Sequence, residues 1–235
     1  MKKTILVTAG NTSEPIDRVR TITNTSSGRL GALIADTLMA QGHNVVYLCG
    51  KNAAQPADAP LETVAILGVS DLAVAVDDLC ARYQFDGIVH AMAVSDYTVQ
   101  GVLPMDELAA HLRAGTRPAL TTGGKLKSSM TEPVILLRPA PKIIARFKQY
   151  QPKTLLVGFK LLVDVPEAEL LGVAAALLEK NDCDLVCAND LTRVTADGHH
   201  ATILDKTGVL ATAETKQEIA AALAAQMNRI WSEGP

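Results

Sequence analysis

At residues Val7–Gly31 the chain has the sequence VTAGNTSEPIDRVRTITNTSSGRLG, a polar segment between a predicted strand and a predicted helix. The strand is the apolar run Thr4–Thr8, which leads into Gly10, and the helix is predicted to begin near Ser27-Gly28. Ordinary dinucleotide-binding folds join these two elements through a short glycine-rich turn. Here a polar loop intervenes, and its end leaves backbone N–H groups free to hold an anion.

Beyond this segment, apolar strands alternate with amphipathic helices along most of the chain. The alternation predicts an α/β, Rossmann-like three-layer fold with a mainly parallel sheet. The later strands are predicted at Val45–Leu48, Glu62–Ile66, Gly87–His90, Thr154–Phe159 and Leu185–Ala188, followed by a hairpin of Ala201–Asp205 and Val209–Thr212. Helices are predicted over Leu30–Leu38, Leu72–Cys80, Lys142–Tyr150, Pro166–Lys180 and Lys216–Trp231.

The pattern changes between Arg113 and Leu137, where glycines and prolines separate two short β-like runs, Ala119–Thr122 and Val134–Leu137. This change predicts a protruding β-hairpin, or flap, over about residues 113–137. The tip of the flap, Gly123–Ser129, is glycine-rich and cationic. Tips of this composition are usually solvated loops, so composition alone assigns the flap no function.

Composition bounds the class of protein. The 235 residues, of which 48% are hydrophobic and 20% charged, fit one globular domain over residues 1–235. The net charge of −3 and the lack of a basic run give nucleic acid no electrostatic attraction. No apolar segment approaches the roughly 20 residues that span a bilayer, so we expect a cytoplasmic protein that binds no membrane. The four cysteines form no C-x-x-C pair, and no metal ligands are predicted.

Parallel sheets bind ligands beyond the carboxyl ends of their strands. Two polar segments lie at such ends, namely Ala91–Tyr97 after His90, and Asn189-Asp190. Asp96 either caps a turn or contacts a ligand, and the sequence leaves both roles open.

A nicotinamide-dependent dehydrogenase is not favoured by these patterns. Gly10 is far in sequence from Gly28 and Gly31, so no glycine fingerprint is present at the first turn. The second strand ends in Cys49-Gly50-Lys51, where a ribose-binding acid is expected.

Four later motifs accompany the opening segment. They are AVSDY at 93–97, GKLKS at 124–128, LVGFK at 156–160 and CANDL at 187–191. Together with Val7–Gly31 they resemble phosphopantothenoylcysteine synthetase, in family order from about Thr4 to Leu191. The resemblance implies a ligase of coenzyme A biosynthesis that joins 4′-phosphopantothenate to L-cysteine. The product, 4′-phospho-N-pantothenoylcysteine, would form through an acyl-nucleotide intermediate such as an acyl-cytidylate.

The resemblance also implies cofactors and partners. Members of the family use CTP or ATP as co-substrate with Mg²⁺, which is bound mainly through the nucleotide phosphates, and they form homodimers. In many bacteria a flavin-dependent decarboxylase domain precedes the ligase, and none precedes Met1 here. The stand-alone form is therefore expected, with a separate phosphopantothenoylcysteine decarboxylase as a partner.

Two catalytic residues are implied by the match, Asn24 and Lys125. Asn24 would contact the acyl group of the intermediate, whereas without the resemblance it would be interpreted as a helix cap or Asx turn. Lys125, on the flap, would neutralise charge on the phosphates. Arg20 matches an arginine near the substrate phosphate, where charge-assisted hydrogen bonds are strong.

The resemblance implies larger binding sets. The nucleotide-binding set is Gly10, Ser26, Ser27, Gly28, Ala91, Met92, Asp96, Lys125, Ala140, Pro141, Lys142, Ile143, Phe159, Lys180 and Asn189. The substrate-binding set is Arg20, Asn24, Ala91, Met92 and Asp96.

Departures from the family and two competing hypotheses remain. The sequence differs from the fused bacterial enzymes at Ser128, Ala176 and Ala140–Ile143, which leaves both CTP and ATP open. The alternatives are an NAD(P)-binding reductase and a nucleotide-binding regulatory module that lacks turnover. The missing ribose acid argues against the first, and the presence of Asn24 and Lys125 argues against the second.

Overall fold

The computed structural model describes residues 1–118, 120, 124, 129–195 and 198–233. The strands are β1 (Thr4–Ala9), β2 (Ser13–Pro15), β3 (Thr21–Thr23), β4 (Asn44–Gly50), β5 (Glu62–Ile66), β6 (Gly87–His90), β7 (Tyr97–Pro104), β8 (Pro133–Pro139), β9 (Leu155–Leu162), β10 (Leu185–Asp190), β11 (Ala201–Asp205) and β12 (Gly208–Ala213). The helices are α1 (Arg29–Ala40), α2 (Val69–Arg82), α3 (Met105–Ala114), α4 (Ile144–Tyr150), α5 (Glu167–Asn181) and α6 (Lys216–Glu233).

The main sheet has eight strands in the order β12-β11-β10-β9-β6-β1-β4-β5. From β10 to β5 neighbouring strands are parallel, while β11 and β12 add an antiparallel edge. This arrangement confirms the predicted fold. The chain runs outward from β1 through β4 and β5 and then crosses to β6 on the other side of β1. The strand order thus reverses between β1 and β6, where such sheets bind their ligands.

The two faces of the sheet carry separate apolar cores. Because side chains alternate along a strand, Ile5 and Val7 of β1 join the core under α1 and α6, whereas Leu6 joins the core under α2, α4 and α5. These surfaces are called the α1/α6 face and the α2/α5 face below. No helix in the described part of the chain is long and apolar enough to cross a membrane.

The flap differs from its prediction. The strand β8 pairs antiparallel with Tyr97–Pro104, and α3 lies between them in sequence. Tyr97–Pro104 was not predicted as a strand, because the register shifts between Val99 and Gly101 and this bulge breaks the two-residue alternation. The predicted run at 119–122 lies outside the described residues except for Leu120, which is not in a strand. A Cβ on Gly101 would lie 2.5 Å from the Leu120 Cβ, so the chain after α3 folds back over β7.

His90 ends β6 and is almost fully buried on the α2/α5 face. Its Nδ1 lies 2.8 Å from Thr8 Oγ1, and its ring contacts Phe147 edge to face with centroids 5.2 Å apart. Burial disfavours the imidazolium and lowers the pKa of His90 to about 4. The side chain is therefore neutral in the folded protein at pH 7.

This burial makes stability depend on pH. The folded-state pKa of His90 lies below its ordinary value of 6.5, so unfolding takes up a proton as the pH falls through that range. We expect His90 to cost the fold about 2 kcal/mol between pH 7 and pH 5. Urea unfolding at both pH values should show a smaller loss for His90→Gln, whose amide can still bond to Thr8. Equal losses in the two proteins would contradict the prediction.

Candidate functional site

Glycines bring the start of α1 against the end of β1. Gly10 and Gly28 have φ values of 79° and 76°, in the left-handed region that favours glycine. A Cβ on Gly28 would lie 3.0 Å from the Gly10 nitrogen and 2.9 Å from the Ala53 Cβ, and a Cβ on Gly31 would lie 2.5 Å from the Ala9 Cβ. The sequence has no continuous glycine fingerprint, but the fold brings these glycines together. The insertion loops out, and the glycines meet in space as in a dinucleotide fold.

The N-terminus of α1 is open. Its N-cap residue is Gly28, and within the described part of the chain no side chain caps this end and its first turn contains no acidic residue. Just before the helix, the Ser27 carbonyl accepts a hydrogen bond from the Ala54 N–H at 2.9 Å, which fixes the approach of the loop. Such a terminus offers backbone N–H groups and a positive dipole end to an anion.

The insertion forms a small hairpin of β2 and β3 that ends at Asn24. The Asn11 amide donates hydrogen bonds to Thr23 Oγ1, at 3.0 Å, and to the Asn24 carbonyl. The exposed Asn24 side chain donates to the Ala93 carbonyl at 3.4 Å, a long hydrogen bond. Asn24 does not cap α1, which removes the helix-cap interpretation. Its amide instead lies over the edge between β1 and β6.

Arg20 is held by a neighbouring carboxylate. The Asp17 Oδ2 atom accepts from Arg20 Nε at 3.1 Å and lies 2.9 Å from Nη2. The Asp17 Oδ1 atom accepts the backbone N–H groups of Val19 and Arg20 at 2.8 and 2.7 Å. The Asp17 side chain is 1% exposed and that of Arg20 is 51% exposed. The guanidinium is therefore oriented by a buried carboxylate, while about half of the Arg20 side chain is exposed.

The segment after β6 lies beside the segment after β1. The Ala93 N–H donates to the Gly10 carbonyl at 2.9 Å, and the Thr12 N–H donates to the Ala93 carbonyl at 3.2 Å. Ala91 is half-buried here, but the Met92 side chain is 7% exposed and belongs to the α2/α5 core. Only the backbone of Met92 remains for a ligand.

Asp96 is brought together with residues 140–143. Its carbonyl accepts the Ala140 N–H at 2.8 Å, and its carboxylate forms an ion pair with Lys142 Nζ. Both charged side chains are well exposed, and Pro141, next to Lys142 in sequence, is exposed too. Ile143 is 2% exposed and points into the α2/α5 core, so its side chain cannot line a ligand site.

Phe159 and Asn189 lie on the α1/α6 face at the same edge. Phe159 is paired in register with Cys187, and Asn189 follows two residues later on β10. The Asn189 amide nitrogen lies 3.3 Å from His199 Nε2. The sequence assigned His199 no role, because Asp197-Gly198 immediately before it is typical of a turn. Burial and nearby Lys216 lower its pKa, and among the described buried atoms its Nδ1 has no hydrogen-bond partner.

One predicted residue is not brought into this cluster, and another lies outside the described residues. Lys180 lies in the last turn of α5, from which the chain enters β10 at its amino end, whereas Asn189 is at the carboxyl end. Lys180 is therefore at the opposite edge of the sheet within this chain. Lys125 lies outside the described residues.

The described residues hold no preformed metal site. No group of three or more His, Cys, Asp or Glu side chains among them is close enough to hold a metal ion.

A family model described as the DNA/pantothenate metabolism flavoprotein C-terminal domain matches residues 1–105 and 110–230. The chain belongs to this family. The match confirms the family resemblance seen in the sequence.

Known relatives support this membership. The coenzyme A biosynthesis bifunctional protein CoaBC of Thermococcus kodakarensis is 31% identical over 233 residues, which are 98% of this chain and 50% of that protein. The chain spans about half the length of the curated relatives it matches.

Solved structures of the flavoprotein C-terminal domain family have the same fold over nearly the whole chain. The DNA/pantothenate metabolism flavoprotein from Streptococcus pneumoniae is 38% identical with a TM-score of 0.86, over 97% of this chain and 99% of that one. The C-terminal domain of a coenzyme A biosynthesis bifunctional protein CoaBC is 26% identical with a TM-score of 0.70, over 99% and 97% of the two chains.

The close packing at Gly28 gives a testable prediction. Gly28→Ala should lower the free energy of unfolding by more than the roughly 1–2 kcal/mol expected for a left-handed backbone alone. Gly42→Ala is the matched control, because Gly42 has φ 88° and nothing within 4 Å of an added Cβ. Adding Ala53→Gly should recover part of the Gly28→Ala loss. Equal losses for Gly28→Ala and Gly42→Ala in urea would show that the contact is loose.

Proposed function

We propose that this protein is a phosphopantothenate–cysteine ligase. It joins 4′-phosphopantothenate and L-cysteine through an acyl-nucleotide intermediate, with CTP or ATP as co-substrate. The observation that carries the proposal is the open N-terminus of α1 at Gly28, close in sequence and space to Asn24 on the insertion. A phosphate site and a neutral acyl-binding donor then share one edge of the sheet. Family membership supports the same assignment.

The first step joins two anions. A carboxylate oxygen of 4′-phosphopantothenate attacks the α-phosphorus of the nucleotide, the bond from that phosphorus to the bridging oxygen breaks, and pyrophosphate leaves with the electron pair. Positive charge and N–H donors must offset the repulsion between carboxylate and phosphates. The first turn of α1 supplies donors, and we assign the neutralising cation to Lys125 on the flap.

The second step forms the amide. The cysteine amine attacks the acyl carbon, the nucleoside monophosphate leaves, and the amine loses a proton. Asn24 donates a hydrogen bond to the acyl oxygen without adding charge, since its long bond to Ala93 is weak enough to exchange for a ligand. Arg20, oriented by Asp17, binds the substrate phosphate through its exposed side.

The remaining contacts divide between nucleotide and substrate. Phe159 and Asn189 face the base and ribose from the α1/α6 face, and the phosphates lie over Gly10 and Ser26–Gly28. Backbone groups of Ala91 and Met92 line the side shared with the pantothenate chain, next to the Asp96–Lys142 pair. Mg²⁺ arrives on the nucleotide phosphates, in keeping with its preference for phosphate and water ligands.

Cellular context completes the proposal. We propose a cytoplasmic homodimer whose product is passed to a phosphopantothenoylcysteine decarboxylase. The close approach of Gly10 and Gly28 would also suit an NAD(P)-binding reductase. However, β4 ends at Gly50 with Lys51 after it, and no acid is there to bind a ribose hydroxyl.

The proposal is tested by pyrophosphate release. The protein is incubated with 4′-phosphopantothenate, L-cysteine, Mg²⁺ and either CTP or ATP, and pyrophosphate and the amide product are measured. We expect equal amounts of both with the preferred nucleotide. Release without cysteine, limited to about one equivalent per site, would identify the acyl-nucleotide. Absence of release with both nucleotides would refute the ligase assignment, and NAD(P)H oxidation in its place would favour the reductase.

A second experiment separates the two steps. Asn24→Asp should slow amide formation roughly 100-fold, because a carboxylate replaces a donor to the acyl oxygen. Nucleotide affinity should change much less. Gln84→Glu is the control, since it adds the same charge at the amino end of β6. Single-turnover measurements that find wild-type amide formation in Asn24→Asp would remove Asn24 from catalysis.

A further inference from the structure

Glu14 is a buried carboxylate to which the ligase mechanism gives no role. It lies in β2 of the insertion and is 6% exposed, although charged side chains are rarely buried without partners. Its Oε1 atom accepts the Val69 N–H at 2.9 Å, across 55 positions of sequence. Val69 is the first residue of α2, so the carboxylate lies at a helix N-terminus, where negative charge is favoured.

Glu14 accepts the Val69 N–H, for which the N-cap residue of α2 offers no side chain. The N-cap residue of α2 is Gly68, which has no side chain to accept the first N–H groups. A Cβ on Gly68 would lie 3.4 Å from both carboxylate oxygens of Glu14, so this glycine leaves the space that Glu14 fills. Beside it, the Ser13 N–H donates to the Leu67 carbonyl at 2.7 Å. Two hydrogen bonds thus fasten β2 to the start of α2.

This attachment is transmitted to Asn24. Ser13 and Glu14 pair with Thr23 and Ile22 in the β2–β3 hairpin, and Asn24 follows Thr23 directly. Ser13 Oγ and Thr23 Oγ1 are 2.9 Å apart, and Thr23 Oγ1 donates to the Thr12 carbonyl at 3.1 Å. The hairpin therefore moves as one unit with its attachment point.

Arg20 depends on the same unit. The Ile16 N–H donates to the Arg20 carbonyl at 2.8 Å, which closes the hairpin turn, and Asp17 orients the guanidinium within that turn. Fixing β2 on α2 fixes both predicted substrate contacts.

We infer that Glu14 is a positioning residue, which caps α2 and thereby fixes the insertion so that Arg20 and Asn24 address the substrate. It touches neither substrate nor nucleotide. The inference rests on the proposed ligase function for its kinetic consequence, while the attachment itself is independent of any activity. Loss of the cap removes one of the two hydrogen bonds that fasten β2 to α2, which loosens the hairpin without removing a side chain from the substrate site.

The experiment compares four variants in the full-length protein. Glu14→Ala removes the acceptor, and Glu14→Gln keeps an oxygen in its place. Val69→Pro removes the donor instead, at a helix position that tolerates proline, after Gly68 with φ −106° and ψ 178°. Asp71→Ala is the matched control, because Asp71 accepts the Leu67 and Gly68 N–H groups at 3.2 Å from within α2 and forms no hydrogen bond to the hairpin among the described residues.

Hydrogen exchange across residues 11–27 reports on the attachment without activity. Glu14→Ala and Val69→Pro should exchange faster there, and Glu14→Gln and Asp71→Ala should match the wild type. Equal exchange in Glu14→Ala and Asp71→Ala would overturn the inference. If Glu14→Ala does not fold, wild-type exchange in Val69→Pro overturns it alone.

Kinetics supply the second readout. Glu14→Ala and Val69→Pro should lower kcat/KM for 4′-phosphopantothenate about 10- to 100-fold, because both displace the substrate contacts slightly. Glu14→Gln should retain the wild-type kcat/KM. The KM for nucleotide should change little. Parallel losses in Asp71→Ala would assign the effect to helix stability and reject positioning. A wild type without ligase activity would refute the proposed function and leave the exchange result standing.

Discussion

The contact between the end of β1 and the first turn of α1 is the constraint on which the rest of the site depends. Gly10 and Gly28 approach so closely that a Cβ on either would come within 3 Å of the Ala53 Cβ. This contact allows residues 11–27 to leave the sheet and return without changing where α1 begins. The close approach of the first strand to the first helix, which is typical of dinucleotide folds, is thus kept while a longer loop is placed directly beside it.

The two helices that flank the insertion show how similar ends serve different purposes. Both α1 and α2 begin after a glycine N-cap, so neither can cap itself at that position. At α2 the Glu14 carboxylate occupies the helix end, whereas no side chain of the described residues caps α1. The occupied end of α2 fastens the insertion, and the open end of α1 is the one to which the proposed function assigns the phosphates.

Local patterns predicted the parallel sheet well because its strands are short, mostly apolar segments that alternate with helices. Glu62–Ile66 and Gly87–His90 were predicted with the bounds that the structure has. The strand at Tyr97–Pro104 was missed because its bulge disrupts alternation, which is the only signal a half-buried strand gives. The closeness of Gly10 and Gly28 was missed for another reason. The insertion separates the two glycines in sequence, so only the folded structure brings them together.

The positions of individual site residues also depend on the fold, which a motif match does not give. A motif match assigned Met92 and Ile143 to the nucleotide, but strand and loop direction turn both side chains into the α2/α5 core. Lys180 precedes β10 by a few residues, yet one strand length separates its end of the sheet from Asn189. His199 shows the reverse case. The motif match did not assign it to the site, but the hairpin of β11 and β12 that follows it brings it to Asn189.

The position of the insertion, between β1 and α1, limits the chemistry that its residues can support. A loop that leaves at Gly10 and returns at Gly28 holds its residues near the open α1 terminus, and Asn24 is only four positions before that terminus. In the proposed ligase the nucleotide phosphates lie at this terminus, so a donor on the loop would meet the group bonded to the α-phosphate rather than the base or ribose. An amide would suit this position better than a carboxylate, because the acyl group would already be surrounded by phosphate charge. The cation on the same loop, Arg20, is oriented by Asp17 within the hairpin turn, and the proposal assigns it to the phosphate of 4′-phosphopantothenate. The loop would thereby bind a charged group through Arg20 and a neutral carbonyl through Asn24.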